Sequence, residues 1–166
     1  MSASPSRRGR RRNSACSPRR SELPSHRHVV RVYYEDTDFS GSVYHASYLR
    51  FLERGRTELL RSLDIHQAAI HSGEAGPIFG FVVRAMKIEF LKPARMDDLI
   101  TVETAVIRVG GASAELAQRI LREPDPLLTA DVRVAAVANG RAFRLPAEIR
   151  DKMRAGALRH QRASLR

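Results

Sequence analysis

Between residues 34 and 45 the chain gathers Tyr34, Glu35, Asp36, Asp38, Tyr44 and His45, its densest run of groups able to donate, accept or transfer protons. The run ends where an apolar periodicity begins, so its carboxylates are expected in a turn just ahead of a helix. An Asp there has a structural role open to it, capping the helix and facing its positive end. A chemical role stands beside it. The same helix start is expected to offer unpaired backbone N–H groups at Tyr44, His45 and Ala46, and such donors polarise a carbonyl and hold the oxyanion formed when it is attacked. Asp38, as nucleophile or general base next to those donors, would complete the minimum for hydrolysing an activated ester. The capping role fits Asp36 better than Asp38.

His45, seven residues past Asp38, is placed to orient water or the ester oxygen. The other histidines form no helical ligand pair, and Cys16 is the sole cysteine. Neither a disulfide within the chain nor a metal centre is expected, and no cofactor is called for. Nucleophile-elbow and phosphate-loop patterns are missing as well. Gly73-Glu74-Ala75-Gly76 and Gly110-Gly111 read as turns.

The elements that must position these groups follow from the hydrophobic pattern. A strand is predicted over 28–34. From Val43 to Leu63 the positions Tyr44, Tyr48, Phe51, Leu52, Leu59 and Leu60 recur at three- and four-residue spacing, which predicts one long amphipathic helix. Gly55 inside it costs about 1 kcal/mol relative to Ala, and is read as a close helix-to-sheet contact. A shorter helix is predicted over 65–71. Period-two stretches over 81–91, 99–108, 113–121 and around 130–136 predict four more strands, with Val82, Met86, Ile88 and Phe90 sharing one face of the first. One strand, one long helix and four sequential strands define an α+β antiparallel sheet with a helix across it. A single helix leaves apolar sheet surface and strand edges open, so self-association is expected.

The whole sequence of 166 residues has a net charge of +11 and a pI near 11.0. The excess sits at the ends. Residues 1–27 hold 8 Arg against Glu22, and 141–166 hold 8 Lys and Arg against Glu148 and Asp151, leaving 13 basic and 15 acidic residues in 28–140. A near-neutral middle argues against a domain built to grip nucleic acid. The Arg- and Ser-rich head, 1–27, is expected to be disordered, although its composition also resembles an organelle transit peptide. The domain is expected over 28–146, with a basic helix or tail over 147–166. With no apolar run long enough to span a membrane, the protein reads as cytoplasmic.

Tyr33-Tyr34-Glu35-Asp36-Thr37-Asp38, Gly41-Ser42-Val43-Tyr44-His45-Ala46-Ser47-Tyr48-Leu49-Arg50-Phe51-Leu52-Glu53-Arg54, Phe81-Val82-Val83-Arg84 and Phe90-Leu91-Lys92-Pro93-Ala94-Arg95-Met96-Asp97-Asp98 together resemble the YbgC and 4-hydroxybenzoyl-CoA thioesterase family. The similarity runs to about Pro146 and is nearest the YbgC branch, associated with the Tol-Pal envelope gene cluster. It implies a hotdog fold, an acyl-CoA thioesterase activity, and dimers that pair into homotetramers with the active site at the dimer interface. It also implies that Asp38 is the catalytic carboxylate and that His45 occupies the position that is His in the YbgC branch and Tyr in the other. Substrate contacts are expected from Tyr44 and Ala46, and CoA phosphate contacts from Arg84, Lys87, Lys92 and Arg95. Acyl carrier protein is an alternative carrier. Phe39-Ser40 departs from the family's pattern of a small or proline residue followed by Ala or Gly, and the Arg-rich head has no counterpart. Two other readings compete: a hotdog dehydratase or hydratase, which would need its His and acid placed differently, and a non-catalytic scaffold or nucleic-acid adaptor using the head.

Overall fold

The computed structural model describes residues 25–163, with side chains as far as 157. The disordered head expected over 1–27 lies outside the described residues except at its end. There the first strand, β1, runs His26–Arg31, two residues earlier than predicted. It stops before Tyr33, because Tyr34–Asp36 forms a 3-10 turn in which the Asp36 carboxylate accepts the Tyr33 N–H at 3.0 Å.

Helix α1 spans Ser47–Ser62, so the prediction of a start at Val43 is corrected. Val43 and Tyr44 are extended: the Val43 N–H bonds Ala94 O and the Tyr44 N–H bonds Asp36 O, both at 2.9 Å. These long-range partners outcompete the helical ones that the apolar spacing suggested. Within α1, Tyr48, Phe51, Leu52, Leu59 and Leu60 are buried as predicted, while Tyr44, ahead of it, is exposed. Gly55 is where the helix meets the sheet. A Cβ there would lie 2.6 Å from Val102 Cγ1 and 3.0 Å from Thr104 Oγ1.

A short helix, α2 (Gln67–Ser72), ends at Gly73 with φ of 84°, a left-handed cap that glycine adopts without strain. Then come β2 (Gly80–Phe90), β3 (Leu99–Val109), β4 (Ser113–Arg122), β5 (Asp125–Ala138) and the two-residue β6 (Arg141–Ala142). Helix α3 (Ala147–Ala163) follows, where a basic helix or tail was predicted. The sheet is antiparallel in the order β1-β3-β4-β5-β2, with β6 paired to β5 through an Asn139-Gly140 turn. Because β1 and β2 occupy opposite edges, the connection between them, including α1, has to cross the sheet. The long helix on a curled antiparallel sheet is the hotdog arrangement.

The core lies between α1 and the face carrying Ile100, Val102, Val106, Leu116, Ile120, Val132 and Val134. One predicted face is corrected. The register of β2 against β5 shifts between Val83 and Ala85, so Arg84 is an extra bulged residue that inverts the alternation. Met86 and Ile88 face the core opposite Val132 and Ala130, whereas Val82, opposite Ala135, faces the other way.

Candidate active site

The segment from Thr37 to Ala46 is held mainly by its main chain. Asp38 N–H bonds Ser42 O at 2.9 Å and Gly41 N–H bonds Asp38 O at 2.9 Å, closing a tight turn in which Gly41 takes a φ of 74°. Thr37 pairs with Val43, and Ser42 with Arg95, as isolated bridges. Below the segment, the buried Tyr48 hydroxyl accepts the Ala94 N–H at 2.8 Å. Burial raises the Tyr48 pKa, so the ring keeps its proton. The 95–98 turn is fixed in its own right, since Asp98 Oδ2 accepts from Arg95 N–H at 2.8 Å and pairs with Arg122 at 2.7 Å.

On this platform Asp36 and Asp38 have different fates. Asp36 is buried and its carboxylate closes the 3-10 turn at Tyr33; it does not cap α1, whose N-cap is Ala46 with no side-chain hydrogen bond. Asp38 is exposed. Its Oδ1 accepts the Ser40 hydroxyl at 2.6 Å and the Ser40 N–H at 2.8 Å, while Oδ2 has no hydrogen-bond partner among the described residues. The Ser40 hydroxyl and then the Ser40 N–H hold the Asp38 carboxyl below its usual pKa, and a positive charge on His45 pulls the same way. His45 therefore lies within electrostatic reach of Asp38, its ring 4.4 Å from that of Tyr44. Ser40, which composition and spacing left unassigned, is the residue in direct contact with the carboxylate. The Asp-x-Ser spacing of an Asx turn was the available signal.

The expected row of free N–H donors is corrected in part. Tyr44 N–H is committed to Asp36 O, but those of His45 and Ala46 reach no acceptor among the described residues. Two donors thus stand at the loop-to-helix junction, seven and eight residues after the carboxylate.

The four cations predicted to meet CoA phosphates are scattered. Arg95 is joined to the loop through its bridge to Ser42 and is exposed. Arg84 is exposed at the bulge of the edge strand β2. Neither has a carboxylate partner among the described residues. Lys92 is paired with Asp125 at 2.7 Å, beside the β4–β5 turn. Lys87 pairs with Glu89 at 3.2 Å and, opposite Asp131, faces away from the α1 side of the sheet. It is not brought together with Asp38.

The curled antiparallel sheet crossed by one long helix places the chain among hotdog-fold proteins. The sequence profile of the thioesterase superfamily matches residues 40–129, just past Asp38, and the chain belongs to that superfamily. Its relatives within it include the YbgC proteins. The chain is 46% identical over 112 residues to the acyl-CoA thioesterase YbgC of Haemophilus influenzae, covering 68% of this chain and 80% of the relative. It is 45% identical over 109 residues to the acyl-CoA thioester hydrolase YbgC of Escherichia coli O6:H1, covering 65% and 78%. Among solved structures, one described as a probable thioesterase from Bartonella henselae is 44% identical with a TM-score of 0.72, covering 74% of this chain and 100% of the other.

Proposed function

We propose that this protein hydrolyses acyl-CoA thioesters to the free acid and CoA, with Asp38 as the reacting carboxylate. The observation that carries the reading is that an Asp38 oxygen and the N–H groups of His45 and Ala46, on one hydrogen-bonded segment, have no partner among the described residues. A thioester oxygen accepting from those N–H groups gains negative charge as the carbonyl is attacked, and donors fixed in advance stabilise that charge without reorganising. Asp38 then either attacks the carbonyl carbon or removes a proton from the attacking water. The thiolate of CoA leaves in both routes. His45 orients the water or the thioester oxygen from the side chain of the same junction, and Tyr44 lines the approach with its exposed ring.

Arg95 is the cation best supported for a CoA phosphate, since it borders the loop and no acid claims it. Arg84 is the second. Lys92 and Lys87 are engaged by Asp125 and Glu89. The exposed apolar side chains Tyr34, Phe90, Leu91 and Met96 around the site, together with the open edge at β2, support a second copy completing it. The dimer, its pairing into a tetramer, a cytoplasmic location, the Tol-Pal association and acyl carrier protein as an alternative carrier belong to the same reading. Sedimentation tests the first two.

The decisive experiment is a hydrolysis screen of short, long and aromatic acyl-CoAs with the wild type and Asp38→Asn. Asn preserves size and can accept a hydrogen bond but neither attacks nor takes a proton, so turnover should fall on the order of 10²-fold or more. A smaller loss would return Asp38 to a turn-forming role. In a single turnover in heavy-oxygen water, label found on Asp38 requires an anhydride intermediate and excludes a purely general-base route.

A further inference from the structure

The geometry points to Ser40 as a positioning residue that holds one oxygen of Asp38 and thereby leaves the other as the single reactive one. This rests on the thioesterase reading above and extends it to a residue outside the family's usual pattern, in which the position carries Ala or Gly. Two donors of Ser40, the hydroxyl at 2.6 Å and the N–H at 2.8 Å, converge on Oδ1. The hydroxyl is itself held, since it accepts the Ser42 N–H at 3.3 Å. Ser42 in turn is bridged to Arg95, and its carbonyl holds the Asp38 N–H. The carboxylate is thus clamped by a chain of contacts closed within five residues, although the side chain is bathed in solvent.

An exposed carboxylate ordinarily rotates, presenting either oxygen in many directions. Reaction with a carbonyl carbon requires one oxygen at a defined place, and displacement by about 1 Å can lower a rate by 10²-fold. With Oδ1 occupied twice, rotation about the Cβ–Cγ bond breaks two hydrogen bonds, both to a charged acceptor, the stronger kind. Oδ2 is therefore the oxygen presented.

The same clamp has a cost in basicity that gives it a signature. A donor on Oδ1 favours the ionised carboxyl and weakens its pull on a proton. Around Asp38, the described groups that set its charge state are Ser40 and His45; His45 lies three residues beyond Ser42, where the clamp ends, and is kept when Ser40 is substituted. Replacing Ser40 by Ala removes the hydroxyl and keeps the N–H. The carboxyl then protonates at higher pH than in the wild type, so the acid limb of the kcat profile moves to higher pH. On the neutral plateau, where Asp38 is ionised in both proteins, kcat should fall roughly tenfold from the lost orientation, with KM little changed.

The test compares kcat and KM against pH for wild type, Ser40→Ala, Ser40→Thr and Asp38→Asn, using a short-chain acyl-CoA, with melting temperature as a control. Ser40→Thr retains the hydroxyl and should restore both the acid limb and the plateau. An inactive Asp38→Asn beside a Ser40→Ala whose acid limb is unmoved overturns the Ser40 assignment alone. A Ser40→Thr that behaves like Ser40→Ala does the same. An Asp38→Asn that stays active overturns this assignment together with the catalytic role of Asp38, and a wild type inactive on every acyl-CoA overturns the thioesterase reading.

Discussion

Phe39 is a large apolar side chain left fully exposed beside the candidate carboxylate, and the fold gains nothing from it. Its neighbours on either side are pinned: Asp38 by Ser42 and Ser40, and Gly41 by Asp38. The ring is consequently held out in solvent close to Asp38 rather than tucked away. If it covers the first carbons of the acyl group, each methylene it shields improves transition-state binding about fourfold. Phe39→Ala should leave the melting temperature unchanged and flatten the rise of kcat/KM across acetyl-, propionyl- and butyryl-CoA. Measuring that series in both proteins checks it, and parallel series would remove Phe39 from the acyl path. At this scale the sequence was partly readable. A structural role fits Asp36 better than Asp38 in the sequence, and Asp36 is the buried one, whereas nothing in the sequence assigns a role to Ser40. Its role depends on a rotamer and on a hydroxyl direction, and residue type alone fixes neither.

Elements were readable wherever periodicity and burial agree. The four later strands and the body of α1 agree because each buries one face against a single partner surface. The start of α1 did not agree, because Val43 and Tyr44 give their N–H groups to Ala94 and Asp36, residues whose proximity no local window contains. Val82 failed for another reason: an inserted residue at Arg84 changes the parity of a strand without changing its composition. Gly55 is the instance where a cost visible in the sequence led to a correct geometric inference. Gly55→Ala would gain about 1 kcal/mol of helix propensity. The new methyl would meet Val102 Cγ1 at 2.6 Å, and a β-branched residue in a central strand has little rotamer freedom with which to retreat. Overpacking of this kind costs about 1–3 kcal/mol. The expected net result is a less stable protein, with the melting temperature lowered by several degrees. A thermal melt showing stabilisation would mean that α1 lifts off the sheet at small cost.

At the level of the whole molecule, α3 closes the end of the domain that α1 leaves open. Met153 is buried, Gly156 packs against Leu63, and Lys152 reaches Asp64 at 3.0 Å and Glu148 at 2.9 Å. Residues as far as Gly156 therefore pack on the domain. The crossing of the chain from one sheet edge to the other has a further consequence, for the order in which the protein acquires its structure. Only β3, β4 and β5 form a local meander, joined by Gly110-Gly111-Ala112 and by Glu123-Pro124. β1 has to find β3 across a separation such as His26 to Thr104, and β2 has to find β5 from Gly80 to Val137. Closing loops of that length costs entropy before any contact offsets it. The meander should therefore form early and the edges late. Shortening Leu116 or Val132 should slow refolding, while shortening Val30 or Ile88 should chiefly speed unfolding, a contrast that stopped-flow kinetics can read. In native-state hydrogen exchange, the edge strands, which carry the approach to Asp38 on one side and the bulge at Arg84 on the other, should open at lower free energy than the centre.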